Sequence, residues 1–341
     1  MKIFIHTILK IASMKNTHIK FSIIISAKNE EKNLPLLLKS LDELNYHQEH
    51  YEVIFINDQS TDNTKSIIEN FIKNYKNAKL FDSLNKKYHG KRGALEIGIS
   101  YAKNEYIMIT DADCEPQPEW LNSFAEKFKQ SYDFIFGIAP FRQTDNFVNK
   151  ISCFENLRSQ LLMFTAARFG FPYSASARSF GFRKSAFEKL EGYKNTTKTL
   201  SGDDDLLLQE AIKNKMRIAT VENPSAFVFS TTKKRFKDYL TQKARHTASS
   251  NYYLLKHKTF LGIWHLLNLS LLFSVFLAFI NLLFALPFVI KLIFDVITVQ
   301  VKQNNFGYKF RIAESVYLQI IYEVLIIVNY LKATFGKTKW K

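Results

Sequence analysis

The stretch Tyr106–Asp113, with the sequence YIMITDAD, decides the fold prediction. Its first half is apolar and has the length of a strand, and two carboxylates, Asp111 and Asp113, follow at its end. Ligands of open parallel sheets bind at the carboxyl ends of the strands. A kinked exit would turn both carboxylates towards one hard cation, so the stretch predicts a Mg²⁺ or Mn²⁺ site. The alternative is a helix cap with a spare surface acid, because a single Asp-x-Asp is a common pattern.

Outward from this strand, apolar runs of strand length alternate with amphipathic segments. Phe21–Ser26 and Val53–Ile56 are predicted strands, each followed by a segment with leucine or isoleucine on one helical face. A third unit covers Leu80–Tyr101, and Pro116 and Pro118 are predicted to open a further helix. This alternation predicts an α/β domain with a mostly parallel sheet flanked by helices.

Polar segments lie where the other predicted strands end or the next helix begins. These segments are Ser26–Glu30, Asn57–Asp62 and Gly90–Leu95. Asp58 can accept the imide N–H of a nucleotide base, and Lys91 or Arg92 can neutralise a diphosphate near a helix N-terminus. Taken alone, the segment after the second strand can equally be a capped turn, since Ser, Thr and Asp are ordinary turn residues.

Four segments together resemble the family 2 glycosyltransferases of the GT-A fold, and they occur in that family's order. The segments are SAKNEEKNL (Ser26–Leu34), INDQSTDNT (Ile56–Thr64), GKRGAL (Gly90–Leu95) and TDAD (Thr110–Asp113). The resemblance implies a nucleotide-sugar donor, a divalent cation (Mg²⁺ or Mn²⁺) and inversion of the anomeric centre. It also implies residue roles: nucleotide-sugar contacts for Ser26, Glu30, Asp58 and Asp111, a position near the diphosphate for Lys91, and metal binding for Asp111 and Asp113.

Three consecutive carboxylates, Asp203, Asp204 and Asp205, precede a predicted helix. Like charges this close are unfavourable unless a cation, a cap or proton transfer stabilises them. Inverting transfer needs a general base for the acceptor hydroxyl. The run resembles the family's acceptor-site acidic motif, and alignment from Gly202 makes Asp204 the base with Asp203 beside it, with the register open by one residue. The alternative is an acidic helix start that complements the helix dipole.

The segment Gln242–His246 (QKARH) resembles the Gln-x-x-Arg-Trp motif of membrane-bound family 2 enzymes. That resemblance implies contacts of Gln242, Arg245 and His246 with the diphosphate and the acceptor. Histidine stands where the motif has tryptophan, which removes a large stacking surface for a sugar ring. The substitution argues against a long processive polysaccharide channel. Without the resemblance, a solvated face of a basic helix would be the simpler interpretation.

Charge and hydropathy predict a membrane partner. The chain of 341 residues has 47 Lys and Arg against 31 Asp and Glu, a formal charge of +16. Lys233–Lys258 holds eight of the cations and one acid, and the uncharged tract Leu261–Ile290 follows it. About 20 apolar residues suffice to cross a bilayer core. A basic stretch beside such a tract is typical of anionic lipid and the positive-inside rule, so membrane lipids are expected as partners and nucleic acid is not.

The number of cysteines limits which disulfides and metal sites the chain can form. Cys114 and Cys153 are the only cysteines, too few for a disulfide scaffold or a cysteine zinc cluster. The catalytic part is therefore expected in a reducing compartment, and a bound metal is expected to have oxygen ligands.

The predicted domain order runs from a catalytic to a membrane part. Residues 1–20 form an apolar and basic segment, interpreted as interfacial, and 21–255 form the cytoplasmic GT-A domain. Residues 260–332 form two or three membrane helices, of which Ile312–Leu331 either spans within a bundle or lies on the surface. Residues 333–341 form a basic tail.

The sequence thus predicts a multi-pass protein of the cell (inner or plasma) membrane. Its expected activity is inverting transfer of a sugar, from a UDP-sugar, to a hydroxyl of a lipid-linked or membrane-proximal acceptor in cell-envelope glycan or glycolipid assembly. Two alternatives remain open. One is transfer to a polyprenyl phosphate, and the other is a non-catalytic basic protein that binds membrane surfaces.

Overall fold

The computed structural model describes residues 18–199 and 201–335, and its centre is a seven-stranded sheet. The strand order is β3-β2-β1-β4-β7-β6-β8. These strands are β1 (Phe21–Ala27), β2 (Tyr51–Asn57), β3 (Ala78–Asp82), β4 (Tyr106–Asp111), β6 (Phe134–Gly137), β7 (Phe180–Arg183) and β8 (Ile218–Val221). A separate antiparallel ribbon pairs β5 (Cys114–Pro116) with β9 (Val228–Ser230).

Helices cover both faces of the sheet and continue beyond it. Those of the sheet domain are α1 (Leu34–Asp42), α2 (Thr64–Asn74), α3 (Lys91–Tyr101), α4 (Trp120–Lys129), α5 (Phe147–Arg168), α6 (Lys184–Lys189), α7 (Asp205–Lys213) and α8 (Phe236–Ser249). Three more helices follow: α9 (Leu255–Leu277), α10 (Leu286–Lys302) and α11 (Ile312–Phe335).

The strand register aligns the polar strand ends. Strand β1 pairs in parallel with β2 and with β4, and Ser26 lies opposite both Ile56 and Asp111. Four of the six pairings in the sheet are parallel, and β7 runs antiparallel to β4 and β6. The prediction of a mostly parallel α/β sheet is confirmed. The carboxyl ends of β1, β2 and β4 therefore meet at one edge.

Two apolar layers stabilise the sheet. On one face Leu37 of α1 and Trp120 and Phe124 of α4 pack on the strands. On the other face α3 and α5 pack against an aromatic cluster that includes Phe134 and Phe180. Each of these side chains is fully buried, and burying one contributes about 1.5–3 kcal/mol.

One helix boundary differs from the prediction. Pro116 does not open a helix; it lies in β5, opposite Val228, and α4 begins only at Trp120. The residue before a proline is disfavoured in the helical conformation. Because Gln117 precedes Pro118, the helix starts after the second proline.

The C-terminal helices are apolar along most of their lengths. Leu255–Leu277, Leu282–Phe306 and Ile312–Lys332 are each long and apolar enough to cross a bilayer. Large apolar side chains of α9, such as Leu266, Phe273 and Phe276, are exposed. The interfacial segment predicted for residues 1–20 lies almost wholly outside the described residues, and so does most of the predicted tail 333–341.

Candidate active site

Lys91 joins the two acidic motifs. Its ammonium hydrogen-bonds Asp111 Oδ1 and lies 3.1 Å from Asp203 Oδ2. Burial lowers the pKa of Lys91, but Asp111 and Asp203 outweigh this and raise it well above its ordinary value. Lys91 is therefore a fixed positive charge between the end of β4 and the start of α7.

Arg92 has a different part in the same segment. It is buried, and its guanidinium donates to the carbonyl oxygens of Thr199 (2.9 Å) and Ser201 (2.8 Å). These carbonyls directly precede the three carboxylates. The sequence predicted Lys91 or Arg92 for the diphosphate. In the structure Lys91 is half-buried and contacts both acidic motifs, whereas Arg92 supports the loop that leads into Asp203–Asp205, here called the acidic loop.

Asp204 is held by backbone donors at the start of α7. Its Oδ1 accepts from the backbone N–H of Asp205 and its Oδ2 from that of Ala177, both at 2.7 Å. Burial raises the pKa of Asp204 to about 8, with further contributions from Asp205 and Asp203. A carboxyl group with this pKa can take up a proton near neutral pH, as a general base must.

Both carboxylate oxygens of Asp205 are engaged in structural hydrogen bonds. Its Oδ2 accepts from Ser249 Oγ (2.5 Å) and Tyr253 Oη (2.7 Å), and its Oδ1 accepts from the backbone N–H of Leu206 (2.8 Å). These bonds connect the start of α7 to the end of α8 and the chain just before α9. Since Asp205 is buried and its neighbour Asp203 faces Lys91, the contacts favour Asp204 as the base.

Asp111 and Asp113 form the candidate metal site with Cys114 nearby. Their potential ligand atoms lie within 4.8 Å of one another. Burial and the charge of Asp111 raise the pKa of Asp113. The thiol of Cys114 is fully buried, 3.7 Å from Asp113 Oδ1, and burial raises its pKa well above the ordinary value. Two carboxylates that repel one another suit a hard divalent cation, so the residues fit Mg²⁺ or Mn²⁺ through oxygen ligands.

The predicted nucleotide residues lie along the ends of β1 and β2. Asp58 Oδ1 accepts from Ser83 Oγ (2.5 Å) and Lys86 Nζ (2.6 Å), so one of its oxygens is already engaged. Glu30 Oε2 accepts from Asn33 Nδ2 (2.6 Å). Burial raises the pKa of Glu30, and Asp113 and Asp111 raise it further, which places Glu30 within electrostatic range of the metal motif. Ser26, half-buried, lies opposite Asp111.

Helix α8 carries the segment Gln242–His246 to the sheet edge where the two acidic motifs lie. Burial lowers the pKa of Arg245, while Asp203, Asp111 and Asp204 act to raise it, so the guanidinium lies close to both acidic motifs. Its Nη2 is 3.4 Å from His246 Nε2. Gln242 is half-buried and His246 is exposed. Of the three predicted residues, Arg245 interacts with carboxylates of both acidic motifs, and His246 also lies within electrostatic range of Asp203.

Sequence reasoning missed Arg178 and Lys86. Arg178 Nη1 donates to Ser230 Oγ at 2.7 Å, and its charge lowers the pKa of Asp113. Lys86 is the ion-pair partner of Asp58. Neither residue lies in a recognisable motif. The sequence shows only that Arg178 comes shortly before β7 and that Lys86, next to Lys87, comes shortly before α3.

Comparison with known proteins agrees with this geometry. Residues 22–191 match the family model for glycosyl transferase family 2. The chain belongs to this family. The segment matched contains the ends of β1, β2 and β4 and the residues Lys91, Asp111 and Asp113.

Individual relatives of the glycosyltransferase are partial matches. The uncharacterized glycosyltransferase YkcC of Bacillus subtilis is 28% identical over 134 residues, which are 39% of this chain and 41% of that protein. An undecaprenyl-phosphate 4-deoxy-4-formamido-L-arabinose transferase of Shewanella sediminis is 32% identical over 130 residues, 38% of this chain and 39% of the relative. The matches thus span about two fifths of the length of these curated relatives.

One solved structure resembles nearly the whole chain. The mannosyltransferase PcManGT from Pyrobaculum calidifontis, in complex with GDP-Man and Mn²⁺, superposes with a TM-score of 0.59 at 16% identity. The superposition covers 94% of this chain and 89% of that one. The predicted GT-A-like fold is confirmed.

Proposed function

We propose that this glycosyltransferase moves a sugar, with inversion, from a UDP-sugar to a hydroxyl of a lipid-linked or membrane-proximal acceptor. The setting we propose is cell-envelope glycan or glycolipid assembly, with the catalytic domain on the cytoplasmic side of the cell membrane. The observation that carries the proposal is the contact of Lys91 with both Asp111 and Asp203. It supports a donor-phosphate site at Asp111 that adjoins the candidate base Asp204, the neighbour of Asp203.

Donor binding is assigned to the ends of β1, β2 and β4. Ser26, Glu30 and Asp58 would contact the nucleotide, and Lys91 and Arg245 supply positive charge for the diphosphate. Asp111 and Asp113 would hold Mg²⁺ or Mn²⁺. When bound, such a cation supplies Lewis-acid stabilisation of charge on phosphate oxygens.

Transfer is assigned to a single displacement with Asp204 as the base. The acceptor hydroxyl gives its proton to the Asp204 carboxylate as its oxygen bonds to C1 of the sugar. The bond between C1 and the diphosphate oxygen breaks, and the electron pair leaves with the nucleotide diphosphate. Lys91 and Arg245 would stabilise that developing negative charge.

A membrane-proximal acceptor is supported by the surroundings of the base. Asp205, the neighbour of Asp204, binds Ser249 and Tyr253, and the first of the three apolar C-terminal helices begins two residues after Tyr253. An acceptor carried by a membrane lipid would therefore reach Asp204 from this side. The partial relative from Shewanella, whose name specifies undecaprenyl phosphate, is consistent with a lipid acceptor.

That relative also supports a second candidate function, transfer to a polyprenyl phosphate. The acceptor oxygen would then already be an anion, and a general base would be dispensable. The backbone donors that fix Asp204, and its raised pKa, favour the hydroxyl acceptor.

The test is nucleotide release by the full chain in detergent across a panel of nucleotide sugars, with Mn²⁺, Mg²⁺ or EDTA. We expect one donor to be consumed only with metal, and Asp113→Ala to lose this activity. Absence of cation-dependent nucleotide binding by the folded protein would refute the proposal and favour the non-catalytic membrane-surface protein.

A further inference from the structure

Helix α11 contacts the catalytic domain near both of its ends. Close to its start, Lys150 Nζ of α5 lies 2.7 Å from Glu314 Oε1. Close to its other end, Lys332 Nζ donates to Thr241 Oγ1 of α8 at 3.4 Å. The two contacts are about 27 Å apart along the helix. A helix whose two ends touch a domain on one side of a membrane does not cross that membrane.

Helix α10 lies antiparallel beside α11 over about three turns. Three polar contacts connect them: Lys291 with Glu323, Asp295 with Gln319, and Gln300 with Ser315. Their residue numbers rise along α10 as they fall along α11, and a fourth contact, Gln303 with Phe310, lies in the connection between the helices. Two helices in contact over this length are close to antiparallel. Since α11 lies along the domain, this part of α10 lies along it too.

An ionic cluster also fixes α10 directly to the catalytic domain. Arg158 of α5 donates to Asp295 Oδ1 at 2.7 Å, and Lys291 Nζ lies 2.7 Å from Asp295 Oδ2. The side chains of Arg158, Asp295 and Lys291 are nearly buried. Breaking such a buried pair is costly, so the middle of α10 stays at the domain surface.

The opposite faces of both helices are apolar and exposed. On α11 the exposed stripe is Val316, Ile320, Val324, Val328 and Leu331. On α10 it is Leu286, Ile290, Ile293, Ile297 and Val301. Both stripes follow the spacing of one helical face, whereas the charged residues Asp295 and Glu323 are buried. This pattern is typical of helices that lie in a membrane interface.

The tip between α9 and α10 has no charge to hold it in water. Residues 278–285 (AFINLLFA) contain Asn281 as their one polar side chain. Phe279 is 94% exposed and Leu282 is 80% exposed. Lys256 and Lys302 lie at the opposite end of this hairpin, and Lys291, which is nearer the tip, is engaged in the ionic cluster with Asp295 and Glu323. A tip of this composition is stable in hydrocarbon and costly in water.

We propose that residues 255–335 contact a single leaflet and leave it on the side they entered. Helices α10 and α11 lie in the interface plane with their apolar stripes towards lipid, and α9 with the tip enters the hydrocarbon. The occupant of the exposed apolar surface is thus the acyl layer of one leaflet. This arrangement differs from the multi-pass prediction, and it does not depend on the chemistry proposed for the site.

The test is cysteine labelling of the full chain in liposomes of phosphatidylethanolamine and phosphatidylglycerol. Asn281→Cys, Arg311→Cys and Lys332→Cys are treated with a membrane-impermeant maleimide outside or trapped inside. The native Cys114 and Cys153 are buried, so the parent chain gives the background. Protease digestion from outside identifies the face that carries the catalytic domain.

We expect Arg311→Cys and Lys332→Cys to be labelled from the face of the catalytic domain. Asn281→Cys should be protected on both faces until detergent is added. Labelling of Asn281→Cys from the opposite face would overturn the proposal and show two crossings, and labelling of Lys332→Cys there would show that α11 crosses. A spin label at position 281 gives a second readout: oxygen should relax it strongly and an aqueous nickel chelate weakly. None of these measurements needs turnover, so their failure is distinguishable from failure of the proposed function.

Discussion

Lys91 Nζ lies 3.1 Å from Asp203 Oδ2 while it also hydrogen-bonds Asp111. The metal motif at the end of β4 and the acidic loop before α7 are therefore held together by one cation. A donor diphosphate bound at Asp111 would meet the same ammonium that orients the neighbour of the candidate base. This contact connects the donor and acceptor sides of the site.

Lys91→Met should lower sugar transfer by about 100-fold, because a preorganised positive charge is lost where the leaving diphosphate develops charge. The same variant should bind Mn²⁺ more tightly, since the ammonium no longer competes for Asp111. Steady-state kinetics and Mn²⁺ titration measure the two effects. Lys87→Met is the matched control, because Lys87 is exposed and its ion-pair partner, Glu96, has no role in the proposed site. Unchanged transfer by Lys91→Met would contradict the role assigned to Lys91.

The rate of transfer should rise with pH through a midpoint near 8. Burial raises the pKa of Asp204 to about 8, and only the ionised carboxylate can accept the proton of the acceptor. The measurement is kcat/KM for the acceptor between pH 6 and pH 9.5 at constant ionic strength. A flat profile over this range, with chemistry limiting, would argue for an acceptor that needs no base, such as a phosphate.

Stability should respond to Asp204 and Asp203 in opposite senses. The folded pKa of Asp204 is above its ordinary value, so between about pH 4 and pH 8 the carboxyl group ionises in the unfolded chain but stays protonated in the folded one, and the free energy of unfolding falls as the pH rises. Asp204→Asn should therefore melt at a higher temperature than wild type, by a margin that grows over this pH range.

Asp203 gives the matched contrast. Burial raises its pKa, but Lys91 outweighs burial and lowers it overall, so the ionised carboxylate stabilises the fold above the ordinary value of 3.8. Asp203→Asn should lower the melting temperature at pH 7, and its deficit should shrink as the pH falls through the lowered folded pKa. Thermal denaturation of both variants across pH checks the signs, and equal shifts would contradict the assignment.

Arg92→Met should reduce transfer while nucleotide binding persists. The variant removes two charged hydrogen bonds to the carbonyls of Thr199 and Ser201, each of which contributes roughly 1.5–3 kcal/mol. The acidic loop should lose its position, and the melting temperature should fall. Calorimetric binding of UDP and the rate of transfer separate the two effects. If UDP binding is lost to the same degree as transfer in a folded protein, Arg92 acts on the donor side.

The polar side chains at one edge of the sheet could be predicted from the sequence, because each lies in a local pattern. Each polar segment directly follows its own strand or opens its own helix, as Asp111 does after β4, and parallel pairing brings these ends together. Local patterns could not predict that Arg92 supports the acidic loop, because Arg92 and the Ser201 carbonyl it binds are 109 positions apart. The distinct positions of Asp203, Asp204 and Asp205 depend on partners such as Ser249 and Tyr253, which hydropathy and spacing do not reveal.

For the C-terminal helices, too, local sequence patterns could not predict the long-range contacts. Hydropathy predicts that α10 and α11 are apolar enough to span, and the structure bears out their length and composition. Whether a helix crosses depends on what its ends contact. Lys150 and Thr241 supply those contacts from distant parts of the chain.

The most direct test of the account compares Asp204→Asn with wild type on the donor that wild type consumes. Sugar transfer to the acceptor and binding of the nucleotide sugar are measured in the same preparation. We predict that transfer falls by about 100- to 10,000-fold, while donor affinity and the melting profile show a folded, binding-competent protein. Transfer at the wild-type rate by folded Asp204→Asn would contradict the account.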